Sequence, residues 1–386
     1  MKLVLRLDLK PLWICSKGDV DLNITFPHLG NAYLGAKALF DGLGVDYVVP
    51  PFSNKTSLEI GSLHSPEDIC LPFKINLGNY IQSIEKGADT VLITRSCGPC
   101  RFGEYCELQM NILKNLGFDV DFIVIDAPKE IGVNTLMQRI GKIGSSSTKK
   151  RYQKLKAVKD GLKVIHMIDA FEAKVRHLSG YEINKGECKK LLHSCKRDLL
   201  KCSAPSEMIG LIKSNEQKLL QISIDKHRKP LKIAIIGEIY TIIEPFSNLF
   251  IEDKLMDFGV CTARKLTPSW WVKNMVLSPT GLNSMDIKRA SRDYLSLDIG
   301  GHCKECVAEA VLAKEAGYDG AIQIFPLGCM PEIVAKTILP TISKEKDIPI
   351  MSLVVDEMTG EAGFVTRLEA FIDLLERRRQ NVLSRS

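Results

Sequence analysis

The sequence lacks any long uninterrupted apolar run, and no stretch reaches the roughly eighteen uncharged apolar residues that a spanning helix needs. The N-terminal stretch "MKLVLRLDLKPLWICSKGD" is broken by Arg6, Asp8 and Lys10, so it has no signal-peptide core. Both absences predict a cytoplasmic protein without a membrane segment, in which thiols stay reduced. Several catalytic signatures are also missing. There is no Walker A sequence, no GxGxxG after a strand, no HExxH and no GxSxG. ATP hydrolysis by this chain is therefore unsupported. Aromatics are sparse at 7%, few of them accompany the basic residues, and no zinc-finger or RNP motif appears. The net charge of +6, concentrated between Lys142 and Lys163 and at Arg377, Arg378 and Arg379, reads as solvated helix faces rather than a nucleic-acid surface.

What is present is ordinary globular material with unusual thiol content. Of 386 residues, 45% are apolar and 25% charged. A chain of this length buries a large core without disulfides, yet it carries twelve cysteines. In a reducing compartment that number points to metal or redox use for some of them.

Apolar runs and helix-like segments alternate over the first 145 residues. Strands are expected at 23–26, 45–50, 89–94 and 119–126, with helices at 31–44, 73–87 and 104–117. "GSSSTKKRYQK" (144–154) reads as a linker or helix start, and the chain is then helical to about Pro230. "LKIAIIGEIY" (231–240) opens a second unit, with strands at 319–326 and 348–355 and a last amphipathic helix carrying Phe364, Leu368, Phe371 and Leu375. The expected architecture is α/β: two Rossmann-like lobes with parallel sheets, 1–145 and 231–386, joined by a helical segment, 146–230.

The two lobes share a local pattern. "CLPFKINLGNYIQSIEKGADTVLITRSCGPC" (70–100) and "CKECVAEAVLAKEAGYDGAIQIFPLGCMPE" (303–332) each run cysteine, helix, Gly-x-Asp, strand, cysteine, proline. Cys97, Cys100 and Cys329 thus follow strands, at the carboxyl ends where open α/β sheets hold ligands. Cys188, Cys195 and Cys202 recur every seven residues and read as a buried helix stripe. Cys15 and Cys261 are isolated, and Cys106 reads as packing at a helix start.

The remaining thiols, Cys70, Cys97, Cys100, Cys303, Cys306 and Cys329, fit three chemistries. "CGPC" and "CKEC" could form a zinc clamp, which leaves Cys70 and Cys329 without a role. "CGPC" alone matches a thioredoxin-type redox pair, but Gly103 and Glu104 postpone the helix that such a motif opens. An iron–sulfur cluster uses more of the set, with ligands converging from both lobes. Glycines 98, 103, 300, 301 and 328 could donate backbone N–H groups to it, prolines 72, 99 and 331 stiffen its loops, and Arg95 and Arg101 offset its charge. His302 beside Cys303 suggests a Cys-His pair only weakly, because catalytic partners are seldom neighbours in sequence. Asp356, Glu357 and Glu361, in "DEMTGEAG", read as caps of the last helix rather than acid–base groups.

The stretches "FPHLGNAYLGAKALFDGLGVDYVVPP", "SPEDICLPFKINLGNYI", "GPCRFGEY" and "GYDGAIQIFPLGCMPEIVAKTILPTISKEKDIPIMSLVVDEMTGEAGFVTRLEAF" resemble the 2-hydroxyacyl-CoA dehydratase and benzoyl-CoA reductase superfamily, most closely its acyl-CoA dehydratase activase-related group. The resemblance covers about 24–145 and 231–380. It implies a [4Fe–4S] cluster between the lobes and a separate ATP-dependent activase that injects a low-potential electron. A CoA-linked substrate and a homo- or heterodimer are also implied. Cys70, Cys100 and Cys329 match the group's cysteine positions best. Cys97, Cys303 and Cys306 stand where relatives often lack a thiol, and together the six would suit a double cubane. On this expectation the chain is a dehydratase-like lyase or a cluster-based reductase. The alternatives are an electron carrier or scaffold that docks the activase, and a zinc-stabilised α/β binding protein.

Overall fold

Runs such as "KIAIIG" leave little polar alternation, so both faces of the strand must be covered, as in a parallel sheet flanked by helices. The computed structural model, which describes residues 22–94, 101–125, 132–144, 146–277 and 283–383, has that arrangement twice.

The N-terminal lobe comprises β1 (Ile24–Thr25), α1 (Ala32–Leu43), α2 (Lys55–His64), α3 (Leu71–Glu85), β2 (Thr90–Thr94), α4 (Tyr105–Asn115), β3 (Asp121–Ile125) and α5 (Val133–Ile143). The helical segment follows as α6 (Arg151–Leu178), α7 (Glu187–Leu199) and α8 (Pro205–Leu220). The C-terminal lobe starts with β4 (Lys232–Gly237), α9 (Ile239–Ile243), α10 (Ile251–Asp257), β5 (Cys261–Ala263), α11 (Pro268–Leu277) and α12 (Met285–Ser291). It ends with α13 (Cys303–Glu315), β6 (Gly320–Pro326), α14 (Met330–Glu345), β7 (Ile350–Val355) and α15 (Glu361–Leu383). No helix among the described residues is long and apolar enough to cross a membrane.

The first sheet has the order β1-β2-β3 and the second β5-β4-β6-β7, with every pairing parallel. Tyr47 makes an isolated parallel bridge to Ile24, on the side of β1 away from β2. The expected strand at 45–50 is reduced to that bridge, so each lobe follows one plan. Its first strand lies inside the sheet, its second on one side, and its third and fourth on the other. The chain reverses direction between the first and third strands, where ligands bind in such sheets. Gly237 ends β4 with φ +129, and a Cβ there would stand 2.1 Å from the Ile324 carbonyl of β6. Only glycine permits the two strands to meet at this switch point.

The helical segment does not stand apart. Val164, Ile168, Phe171, Cys188, Cys195 and Leu199 share one core with Ile24, Leu34 and Phe40 of the N-terminal lobe. Cys188 and Cys195 are fully buried, as the stripe predicts, whereas α7 ends before Cys202, which is partly exposed. Helix α3 ties the lobes together. Its Phe73, Leu77 and Tyr80 fill the N-terminal core, while its Leu71 and Ile75 pack among Ile233, Ile322 and Leu353 of the C-terminal lobe. Lys74 on the same helix reaches Glu357 after β7 at 2.6 Å and donates to the Glu67 carbonyl at 3.0 Å. Glu357 is therefore an interlobe anchor. Glu361, in the first turn of α15, pairs with Lys254 at 2.8 Å.

Helices α2 and α3 approach so closely that a Cβ on Gly78 would lie 1.8 Å from the Ser57 carbonyl oxygen, and one on Gly61 1.7 Å from that of Lys74. Gly78→Ala must push the helices apart and is expected to cost up to about 3 kcal/mol. Gly210, in α8, has nothing within 4 Å of such a Cβ. Gly210→Ala is expected to stabilise by up to about 1 kcal/mol, by the helix preference for alanine. Urea denaturation of both variants checks the pair. Equal effects of the same sign would refute the close crossing.

Candidate functional site

Of the predicted site residues, Cys70, Cys303 and Cys329 lie at the carboxyl ends of the two sheets. Cys70 is the N-cap of α3, the helix that precedes the third strand of its lobe. Cys303 opens α13, the helix that precedes the third strand of the other lobe. Cys329 follows that third strand, β6, and is the N-cap of α14, with Pro331 just inside the helix. Cys97 and Cys100 follow β2 in sequence and lie outside the described residues, together with Arg95, Gly98 and Pro99.

Cys70 and Cys329 are partly exposed. The Cys70 thiol meets the Tyr105 hydroxyl, and the Tyr105 ring stands edge-on to Phe73 with centroids 4.9 Å apart. Beside Cys329, the turn at Gly301 (φ +58) packs on Pro331 so tightly that a Cβ would come within 2.6 Å of its ring. That contact joins the loop before Cys303 to the loop at Cys329. Helix N-termini favour thiolate over thiol.

Cys303 and Cys306 are in a different environment. Both are fully buried in a core with Ala234, Ile236, Val307, Ala310 and Leu339. Burial pushes the Cys303 thiol up to about 12, with the Glu332 charge adding to it. Burial also raises Cys306 well above the usual thiol range, as do the charge of Glu332 and a hydrogen bond to it. Cys106 is buried in the N-terminal core, as expected for packing. Cys261 is buried in β5 and donates to the His177 carbonyl at 3.0 Å. Among the described residues no three His, Cys, Asp or Glu side chains stand close enough to hold a metal ion.

The sequence reading missed a group of carboxyls at the switch point of the second sheet. Glu309 and Glu332 are buried, and Glu238 and Glu305 partly so. Glu332 accepts from Gln323 Nε2 at 2.9 Å, and Ser352 donates to Gln323 Oε1 at 2.7 Å. Glu238 caps α9, accepting from the amides of Tyr240 and Thr241 at 2.9 and 2.8 Å. Burial raises all four above the ordinary carboxyl range, Glu305 to about 7 and Glu332 to about 8. Burial also lowers neighbouring His302 to about 4, so its ring is neutral. Burial thus favours the protonated form of Glu332 and of the Cys303 and Cys306 thiols at neutral pH.

A second polar group joins the three parts of the chain. Glu172 on α6 is bonded by Arg176, by Lys196 of α7 at 2.7 Å, by Arg264 after β5 at 2.9 Å and by Asn31 at the start of α1 at 2.5 Å. Glu252 of α10 pairs with Arg176 and Arg264. Burial alone would raise Glu172, but the three cations hold it well below the usual carboxylate value. In sequence, only the i,i+4 spacing of Glu172 and Arg176 hinted at this.

No curated protein matches the chain. A family model described as CoA enzyme activase uncharacterised domain (DUF2229) matches residues 29–265, from the loop after β1 to the end of the first two strands of the second lobe. The match fits the activase-related group that the sequence resembles, and its name speaks of a CoA enzyme activase rather than of a dehydratase subunit. With more than half of its length covered, the chain belongs to the CoA enzyme activase uncharacterised domain family.

Proposed function

We propose that this chain is an iron–sulfur protein that works with a separate ATP-driven CoA enzyme activase and holds its cluster between the two lobes. One observation supports the reading most: the cysteine pattern repeats on a repeated topology, with Cys70 and Cys303 opening equivalent helices and Cys329 following the strand equivalent to the one before Cys97 and Cys100. A [4Fe–4S] cluster would supply one-electron transfer. Cys70 and Cys329, partly exposed at helix N-termini, suit the thiolate role, with Cys100 as a further ligand and Cys97 as the extra thiol. Cys303 and Cys306 would serve a double cubane only by leaving the core in which they pack. With a CoA-linked substrate beside the cluster the chain would act as a dehydratase-like lyase or reductase. Without one it would be an electron carrier that docks the activase, and the family's name favours the activase side of that chemistry.

Anaerobic purification with iron, sulfide and zinc analysis tests the reading. About four irons per chain are expected for a single cubane and about eight for a double. Cys70→Ala and Cys329→Ala should each lose most of the iron, and Cys97→Ser should keep it. A colourless, iron-free protein loaded with zinc would sink the proposal.

A further inference from the structure

Between Arg139 and Lys163 stand nine lysines and arginines against one aspartate, an excess larger than the +6 of the whole chain. Charge of this kind alone fits a solvated helix face. The structure adds apolar side chains that such a face does not need. The first three turns of α6 leave Tyr152, Leu155, Val158 and Leu162 66%, 63%, 39% and 44% exposed. Apolar side chains scattered singly over a surface are ordinary, whereas a contiguous row marks an interaction site. Tyr152, Leu155, Lys159 and Leu162 are spaced three, four and three residues apart, so they form one narrow stripe along the helix. Lys156 and Lys163 border it on one side, Arg151 and Val158 on the other. Arg151, Lys156, Lys159 and Lys163 are exposed and make no ion pair among the described residues.

The opposite face of the helix holds this stripe in place. Ala157, Gly161, Val164 and Ile168 are buried. A Cβ on Gly42 of α1 would stand 2.8 Å from that of Ala157, and one on Gly35 3.2 Å from the Gly161 carbonyl oxygen. The two helices therefore run antiparallel in close contact. The Ser147 hydroxyl, just before α6, donates to the Leu43 carbonyl at the end of α1 at 2.5 Å. Because α1 starts after the carboxyl end of β1, its far end and the start of α6 lie towards the amino end of the sheet. The stripe thus sits away from the end that carries Cys70.

We propose that this face docks an acidic amphipathic helix of a partner protein, with an apolar seam flanked by glutamates or aspartates. The seam packs on Tyr152, Leu155 and Leu162, and the flanking carboxylates meet Lys156, Lys159 and Lys163. A second copy of this chain does not fit, because it would set lysines against lysines. A lipid surface is met by a wider apolar face carrying tryptophan or phenylalanine, and neither stands on this stripe. Nucleic-acid phosphates would satisfy the lysines but leave the leucines in water. The surface does not depend on a cluster.

Fluorescence anisotropy with the full-length chain tests this. The probes are two labelled synthetic helices of three heptads with leucine at a and d, one with glutamate at e and g and the other with lysine there. The glutamate helix should bind, and the lysine helix should bind at least about tenfold more weakly, with the preference shrinking as salt is raised. Joint Lys156→Glu, Lys159→Glu and Lys163→Glu should reverse the preference, a change that loss of folding cannot produce. Leu155→Ser with Leu162→Ser, at exposed positions, should weaken the glutamate helix about tenfold and leave the unfolding temperature unchanged. Equal binding of the two helices, no binding of either, or a preference that survives the charge reversal would each overturn the proposal. So would binding to phosphatidylglycerol vesicles, or self-association on gel filtration, that the leucine variant abolishes. Those results would assign the face to a lipid surface or to a second copy. The iron count is read separately, so failure here leaves the cluster reading standing, and the reverse.

Discussion

Glu172→Ala is expected to lower the stability of the chain by about 3 kcal/mol or more, with loss of the contact between the lobes. The residue lies on α6, and its carboxylate is shared by Arg176, Lys196, Arg264 and Asn31. Removing it leaves Glu252 alone to balance Arg176 and Arg264, and leaves Lys196 without its ion pair. A buried pair adds little relative to an apolar replacement, but a buried cation stripped of its partner is costly. Glu172→Gln separates charge from packing, since it keeps the shape and one acceptor. It should cost nearly as much as the alanine. The pH dependence gives a second reading. The folded value of Glu172 lies well below the ordinary 4.5 because the cations outweigh burial. Its contribution is therefore present in full above the unfolded value and is lost as the pH falls towards the folded one. Denaturation midpoints should converge for the wild type and Glu172→Gln in acid and diverge near neutrality. A gap below about 1 kcal/mol at neutral pH would mean that this buried network contributes little to holding the lobes together.

This network also shows where sequence reasoning stops. Strands β4, β6 and β7 were legible because their apolar runs are too continuous for anything but a covered parallel sheet. The repeated order of strands was foreshadowed by the repeated cysteine–helix–strand pattern, and the middle segment was expected to be helical without a count of its helices. Nothing local marks Glu172, Lys196 and Arg264, because a charged face turned to water and one turned to another domain look alike in sequence. Lys74 and Glu357 are 283 residues apart, and each sits in an unremarkable stretch. The thiols were legible as positions but not as environments. Cys70 and Cys303 start equivalent helices, yet one is partly exposed and the other fully buried. The difference comes from what α12 and α14 pack around α13, which no spacing rule encodes.

Glu332→Gln is expected to stabilise the chain by several kcal/mol at about pH 8 and to leave it nearly unchanged at about pH 5. Burial raises the folded value of Glu332 to about 8, against an ordinary 4.5. Between these values the unfolded chain gives up the proton while the folded chain keeps it. Stability therefore falls as the pH rises through this window, by up to about 1.4 kcal/mol per unit. Glutamine cannot ionise, so that loss disappears. It can still accept the bond that Gln323 Nε2 makes at 2.9 Å, so the local geometry survives. The charge of Glu305 helps to hold Glu332 up, and the charge that Glu332 would carry helps to hold up Cys306. Thermal unfolding of the two proteins across this range reads the difference directly. A gap that is equal at both ends would show that Glu332 is already ionised in the fold and pairs with a cation. A gap that opens with pH would establish a carboxyl kept protonated near neutrality, three residues after Cys329 and against the Cys306 thiol.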